Sequence, residues 1–128
     1  MINMEKSKFD LGMETMTRIM GEHGKFAFES VNKLSPEIAQ LCVSYGFGEL
    51  YASDVLTDRE RVIITVTSLI TQGAFDQLSL HAHTAMNVGI TKEEITQMIL
   101  QLIGYVGFPK TLAALQVVTN VYEENSAK

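Results

Sequence analysis

Thr91-Lys92-Glu93-Glu94 precedes an uncharged run of about 15 residues that begins at Ile95 and closes with Gly107-Phe108-Pro109. That order of signals constrains the segment to helix. Thr91 as N-cap and Glu94 three residues later form a capping box, each satisfying an amide that the first helical turn leaves unpaired. Ile95, Met98, Ile99, Leu102, Ile103 and Val106 recur every three or four residues, Gly107 supplies a stop, and Pro109 suits the first turn of the next helix.

The same punctuation recurs upstream. Ser35-Pro36-Glu37 predicts a helix from Pro36 to about Tyr51, in which Gly46 and Gly48 each cost roughly 1 kcal/mol relative to Ala and so point to a close backbone approach or a distorted last turn. Thr57-Asp58-Arg59-Glu60 reads as a second capping box, opening a helix to about Gly73 whose Val62, Ile63, Ile64, Val66, Leu69 and Ile70 wrap most of its circumference. Asp76 is the expected cap of a helix reaching Val88 and stopped by Gly89, with Phe75, Leu78, Ala82, Ala85 and Met86 as its stripe. Nearer the N-terminus, Asp10 is the expected cap of a Met-rich helix ending near Gly21 or Gly24, where His23 would sit by the terminal carbonyls. Phe26 to Leu34 fits either a short helix or a packed connector. A last helix opens at Pro109 with Leu112, Leu115, Val118 and Val121 or Tyr122 directed inward. About six helices without strand alternation give an all-α, single-domain bundle over 1–128.

Composition narrows the function classes. A net charge of −5 and no Lys/Arg cluster argue against nucleic acid. The longest uncharged runs fall short of the roughly 20 apolar residues that span a bilayer, and the N-terminus lacks the pattern of a signal peptide, so the expectation is a cytoplasmic protein. With 46 % hydrophobic and 20 % charged residues in 128 positions, some apolar surface is expected to meet other subunits. Cys42 is the one cysteine, which rules out an intrachain disulfide and reads as a small buried apolar group.

Two of the three histidines lie on one predicted helix. At 100° per residue His81 shares the side of Leu78, Ala82 and Ala85, whereas His83 falls on the other side with Ser79 and Asn87. An inward histidine titrating near neutrality fits a general acid or base, and equally a hydrogen-bonded core residue. Two histidines two apart diverge, unlike a chelating i, i+4 pair, so no metal is expected. Glu60 reads as a capping residue, Glu93 and Glu94 as first-turn residues, and Tyr105 as a core or pocket-lip residue.

Taken together, Phe47-Gly48-Glu49-Leu50-Tyr51, Arg59-Glu60, Leu80-His81 with Ala85 and Gly89, Thr91 to Ile95, and Tyr105 to Pro109 resemble the carboxymuconolactone decarboxylase family, relatives of alkyl hydroperoxidase D. The resemblance covers about residues 35–120. It implies an all-helical fold assembled into homo-oligomeric rings, commonly trimers or hexamers, and for decarboxylase members a cofactor-independent reaction on a γ-lactone carboxylate. In the hydroperoxidase relatives a Cys-x-x-Cys pair precedes a histidine by one turn, and a glutamate from the preceding helix completes a proton relay. Matching that histidine to His81 places Ala74 and Gln77 where the cysteines would stand and Glu60 where the glutamate would. Decarboxylase-like members usually carry an arginine where this chain has His83.

The resemblance therefore implies a lyase acting on a small lactone or carboxylate, with His81 and Glu60 as the acid–base pair, no cofactor, and His83, Glu49 and Tyr105 as substrate contacts. The alternatives are a peroxidase-related protein using Cys42, with peroxiredoxin activity, or a non-catalytic, ring-forming binding protein.

Overall fold

A computed structural model describes residues 6–126. Among these the chain is all-α: seven α-helices and one π-helix, with no strand. The described residues divide at Thr57 and Asp58 into two compact units.

The first unit holds α1 (Lys8–Met20), α2 (Glu22–Leu34), α3 (Pro36–Leu41) and a π-helix (Cys42–Leu50). Ser7, not Asp10, caps α1: its Oγ accepts from the Asp10 amide at 3.1 Å, so helix begins before the residue expected to start it. Gly21, at φ +63°, separates α1 from α2. The ambiguous 26–34 segment is thus helical, and His23 stands exposed in the first turn of α2 rather than at a helix end. Ser35 caps α3 as expected, accepting from the Ile38 amide at 3.2 Å.

The distortion that Gly46 and Gly48 signalled spans nine residues. Its widened turns end with Tyr51 N–H donating to the Gly46 carbonyl five residues back. The π-helix packs on α1 through two glycines. A Cβ on Gly48 would collide with the Lys8 carbonyl, and one on Gly12 with the Val43 carbonyl. Cys42, expected from its apolar character to be buried, opens this segment and is exposed.

The second unit is built from α4 (Asp58–Gln72), α5 (Phe75–Asn87), α6 (Lys92–Val106) and α7 (Phe108–Ser126). Val62, Val66 and Ile70 of α4, Leu78, Ala82 and Ala85 of α5, Ile95 and Ile99 of α6, and Ala114 and Val118 of α7 make its core. α4 is buried along this one stripe and not all round: Ile64 is 53 % exposed. On α7 the inward positions are Thr111, Ala114, Val118, Val121 and Tyr122, and Leu112 points out with 59 % exposure. Small residues in the first turns of α7 fill the inward positions that the apolar pattern had given to Leu112.

Gly73 and Ala74 alone join α4 to α5. Gly73, at φ +75°, donates to the Ile70 carbonyl and Ala74 to the Leu69 carbonyl, a Schellman closure that folds the helices into an antiparallel pair. Ala74 takes the N-cap position of α5, leaving Asp76 within the first turn, because the glycine turn delivers the chain straight into helix. Gly89, at φ +86°, ends α5 with the same pair of bonds, and the Thr91–Glu94 capping box starts α6. Among the described residues no helix is long and apolar enough to cross a membrane.

Candidate active site

α5, which carries His81 and His83, packs against α4, which carries Glu60, and against α7. At the Gly89 end of the α4–α5 pair, polar groups are bonded to one another. Arg59 donates to the Gly89 carbonyl at 3.2 Å and pairs with Glu94. Glu94 also accepts from the Thr91 amide at 2.9 Å. That bond first, and the guanidinium second, hold its carboxyl below the usual carboxylate range. Tyr122 donates its hydroxyl to the Ile90 carbonyl at 2.8 Å in a buried position. Burial, aided by the Glu94 charge and opposed by Arg59, pushes the phenol up to about 12.

Two turns back along α5 the pattern reverses. His81 is half-buried, its Nδ1 is sealed from solvent, and no described residue hydrogen-bonds that nitrogen. Burial lowers its proton affinity, so the neutral ring is favoured at neutral pH. Thr84, three residues on and 1 % exposed, has a hydroxyl oxygen in the same condition. A buried polar atom without a partner costs about 1–3 kcal/mol, so two on adjacent positions of one helical face call for a functional account.

His83 points elsewhere. Its Nδ1 lies 3.5 Å from Asn125 Nδ2 of α7, and Asn125 also donates to the Val121 carbonyl at 2.7 Å. A groove of about 350 Å³ beside Asn125 is lined by Met86, Lys92, Tyr122, Glu123 and Ser126. Glu60 is exposed in the first turn of α4, and Tyr105, in the last turn of α6, is 81 % exposed. Glu49 belongs to the first unit, where it pairs with Lys8.

The profile of the carboxymuconolactone decarboxylase family matches residues 36–120, about two thirds of the chain. The chain belongs to this family. It is similar to 4-carboxymuconolactone decarboxylase of Acinetobacter baylyi, with 26 % identity over 94 % of this chain and 90 % of the relative. It also resembles nitrosuccinic acid decarboxylase of Metarhizium robertsii, with 25 % identity over 89 % of this chain and 80 % of that one. An uncharacterised 15.0 kDa protein of Paracoccus denitrificans shares 30 % identity over 77 % of this chain and 75 % of its own length.

Within this family member, Ala74 and Gln77 occupy the N-cap and first turn of α5. The two-residue connection Gly73–Ala74, which ends at the first of these positions, closes the helix pair. Sequence reasoning did not find Thr84, because a lone threonine on a helix carries no signal of its own. It also read Arg59 only as part of a motif, not as the tie between α4 and the Gly89 turn. The Arg59–Glu94 spacing across two capping segments was the available clue.

Proposed function

We propose that the protein is a lyase that removes carbon dioxide from a small carboxylate, with His81 as its acid–base residue. The observation that carries this reading is His81 itself: half-buried on α5, with one ring nitrogen sealed and a proton affinity lowered by burial, in a family whose relatives above include two named decarboxylases. At rest the ring is neutral. A bound carboxylate raises its proton affinity, and the ring takes up one proton from solvent. As the bond to the carboxyl carbon breaks, carbon dioxide leaves and the electron pair moves into a carbonyl or comparable group of the substrate. His81 then delivers its proton to the substrate carbon that had carried the carboxylate. Proton transfer of this kind contributes roughly 100- to 10,000-fold.

Glu60 stands beside Arg59, whose bond to Gly89 sets it near the far end of α5. His81 precedes Gly89 by eight residues, about 12 Å at helical rise, too far for a direct bond to the neighbourhood of Glu60. Glu60, exposed to solvent, is proposed to relay the proton from solvent to His81 through intervening water. His83 and Tyr105 are the proposed substrate contacts in this unit. Exposed Ile64, Leu100, Tyr105, Phe108 and Leu112 favour association with further copies, as trimer or hexamer.

The test is release of carbon dioxide from 4-carboxymuconolactone and from nitrosuccinic acid by wild type and His81→Ala, with sedimentation of both. The reading predicts turnover in wild type, at least 100-fold less in the variant, and one shared oligomeric state. Equal activity of the two proteins would refute it.

A further inference from the structure

We infer that Thr84 positions His81: its hydroxyl and the sealed Nδ1 of His81 hold one buried water between them, and this bridge fixes which ring nitrogen carries the proton. Three observations carry the inference.

Thr84 and His81 are three apart on α5, which puts their Cβ atoms roughly 5–6 Å from one another on adjoining strips of the same face. Both polar atoms are inaccessible, and neither bonds a described residue, so they do not bond each other directly. A helical threonine leans back over the preceding turn, towards position 81, and a single water spans the remaining gap.

The third observation is how threonines behave elsewhere in this molecule. Thr15, Thr17, Thr65, Thr67, Thr71 and Thr111 each turn the hydroxyl onto the carbonyl four residues back, at 2.8 to 3.1 Å. Thr84 has the same option with Leu80 and does not take it; Thr96 and Thr119 do not take it either, but both are partly open to solvent, whereas Thr84 is buried. Its hydroxyl is held off its own helix, beside a histidine nitrogen in the same condition.

Water and a hydroxyl each donate and accept, and the sense that serves the proposed reaction is the one that leaves Nε2 basic. With the proton on Nδ1, the ring donates to the water and the water donates to Thr84 Oγ1. Nε2 is left with the free lone pair that takes up and returns a proton in the proposed reaction. Thr84 is thus a positioning residue that does not touch substrate. The choice of tautomer and the consequence for turnover rest on the proposed function; the water bridge does not.

The test is ring-nitrogen NMR of His81 in the full-length ¹⁵N-labelled protein at neutral pH, assigned by the signal missing in His81→Gln. Wild type is expected to show one protonated and one unprotonated nitrogen, Nδ1 being protonated. In Thr84→Val the two shifts converge as tautomers mix, and Thr84→Ser restores them. A folded Thr84→Val with wild-type shifts, or mixed tautomers in wild type, overturns the inference. Should Thr84→Val fail to fold, wild type decides alone: the Nδ1 proton must show cross-relaxation with a long-lived water, and its absence refutes the bridge. Where decarboxylation is measurable, kcat falls on the order of tenfold in Thr84→Val with KM unchanged, and recovers in Thr84→Ser. Failure of the lyase reading leaves the water bridge standing.

Discussion

The C-terminal turn of α5 and the middle of the same helix are opposites. Around Gly89, Arg59, Thr91, Glu94 and Tyr122 satisfy one another and the turn's carbonyls. Around His81 and Thr84, polar atoms are buried with no protein partner. Satisfied polar groups fix a shape, whereas a buried polar atom without a protein partner reduces stability unless a water or ligand meets it. The difference separates the part of the second unit that ties the turn from the part to which the proposed function assigns the chemistry.

The largest test of that separation is kinetic. His81→Ala is expected to lower decarboxylation at least 100-fold with little change in melting temperature, whereas Arg59→Met is expected to lower the melting temperature and leave turnover within a few-fold; calorimetry beside a carbon dioxide assay distinguishes them. Next is Tyr122→Phe, which removes one oxygen and leaves the buried Ile90 carbonyl unpaired. It should cost about 1–2 kcal/mol, read as a lower denaturant midpoint with an unchanged slope.

The smallest effects concern pH. Both His81 and Glu94 titrate lower in the folded protein than their ordinary values of 6.5 and 4.5. In each case the unfolded chain binds the proton first, so stability is present above the ordinary value and is lost as pH falls towards the folded one. Two steps in melting temperature are expected on acidification. The upper one begins near 6.5 and is removed by His81→Gln; the lower, shallow because Glu94 is solvent-screened, begins near 4.5 and is removed by Glu94→Gln. A single step shared by both variants would merge what the structure keeps apart.

Helix ends that rest on local chemistry were legible in the sequence. The Thr91–Glu94 box, Ser35-Pro36, Gly89 and Gly107 all do what their residue types demand. Errors arose where two signals competed. Ser7 caps α1 by accepting from the Asp10 amide, and reading Asp10 as the cap displaced the start of α1 by three residues. Asp76 lost its capping role to a turn made by Gly73. Cys42 and Leu112 were assigned to the interior by apolar character, and geometry overruled them: a π-helix at one, a face shifted by one residue at the other. Of the site, His81 was visible as a histidine on an apolar stripe. Thr84 became visible only when its hydroxyl could be compared with those of its fellow threonines.

The Arg59–Glu94 tie joins residues only 35 apart in the chain. Within that span lie two helices, a two-residue turn, a capped corner and the histidine they support. Loop-closure entropy grows only slowly with loop length, so this one contact holds both helices and the turn between them in register at modest entropic cost.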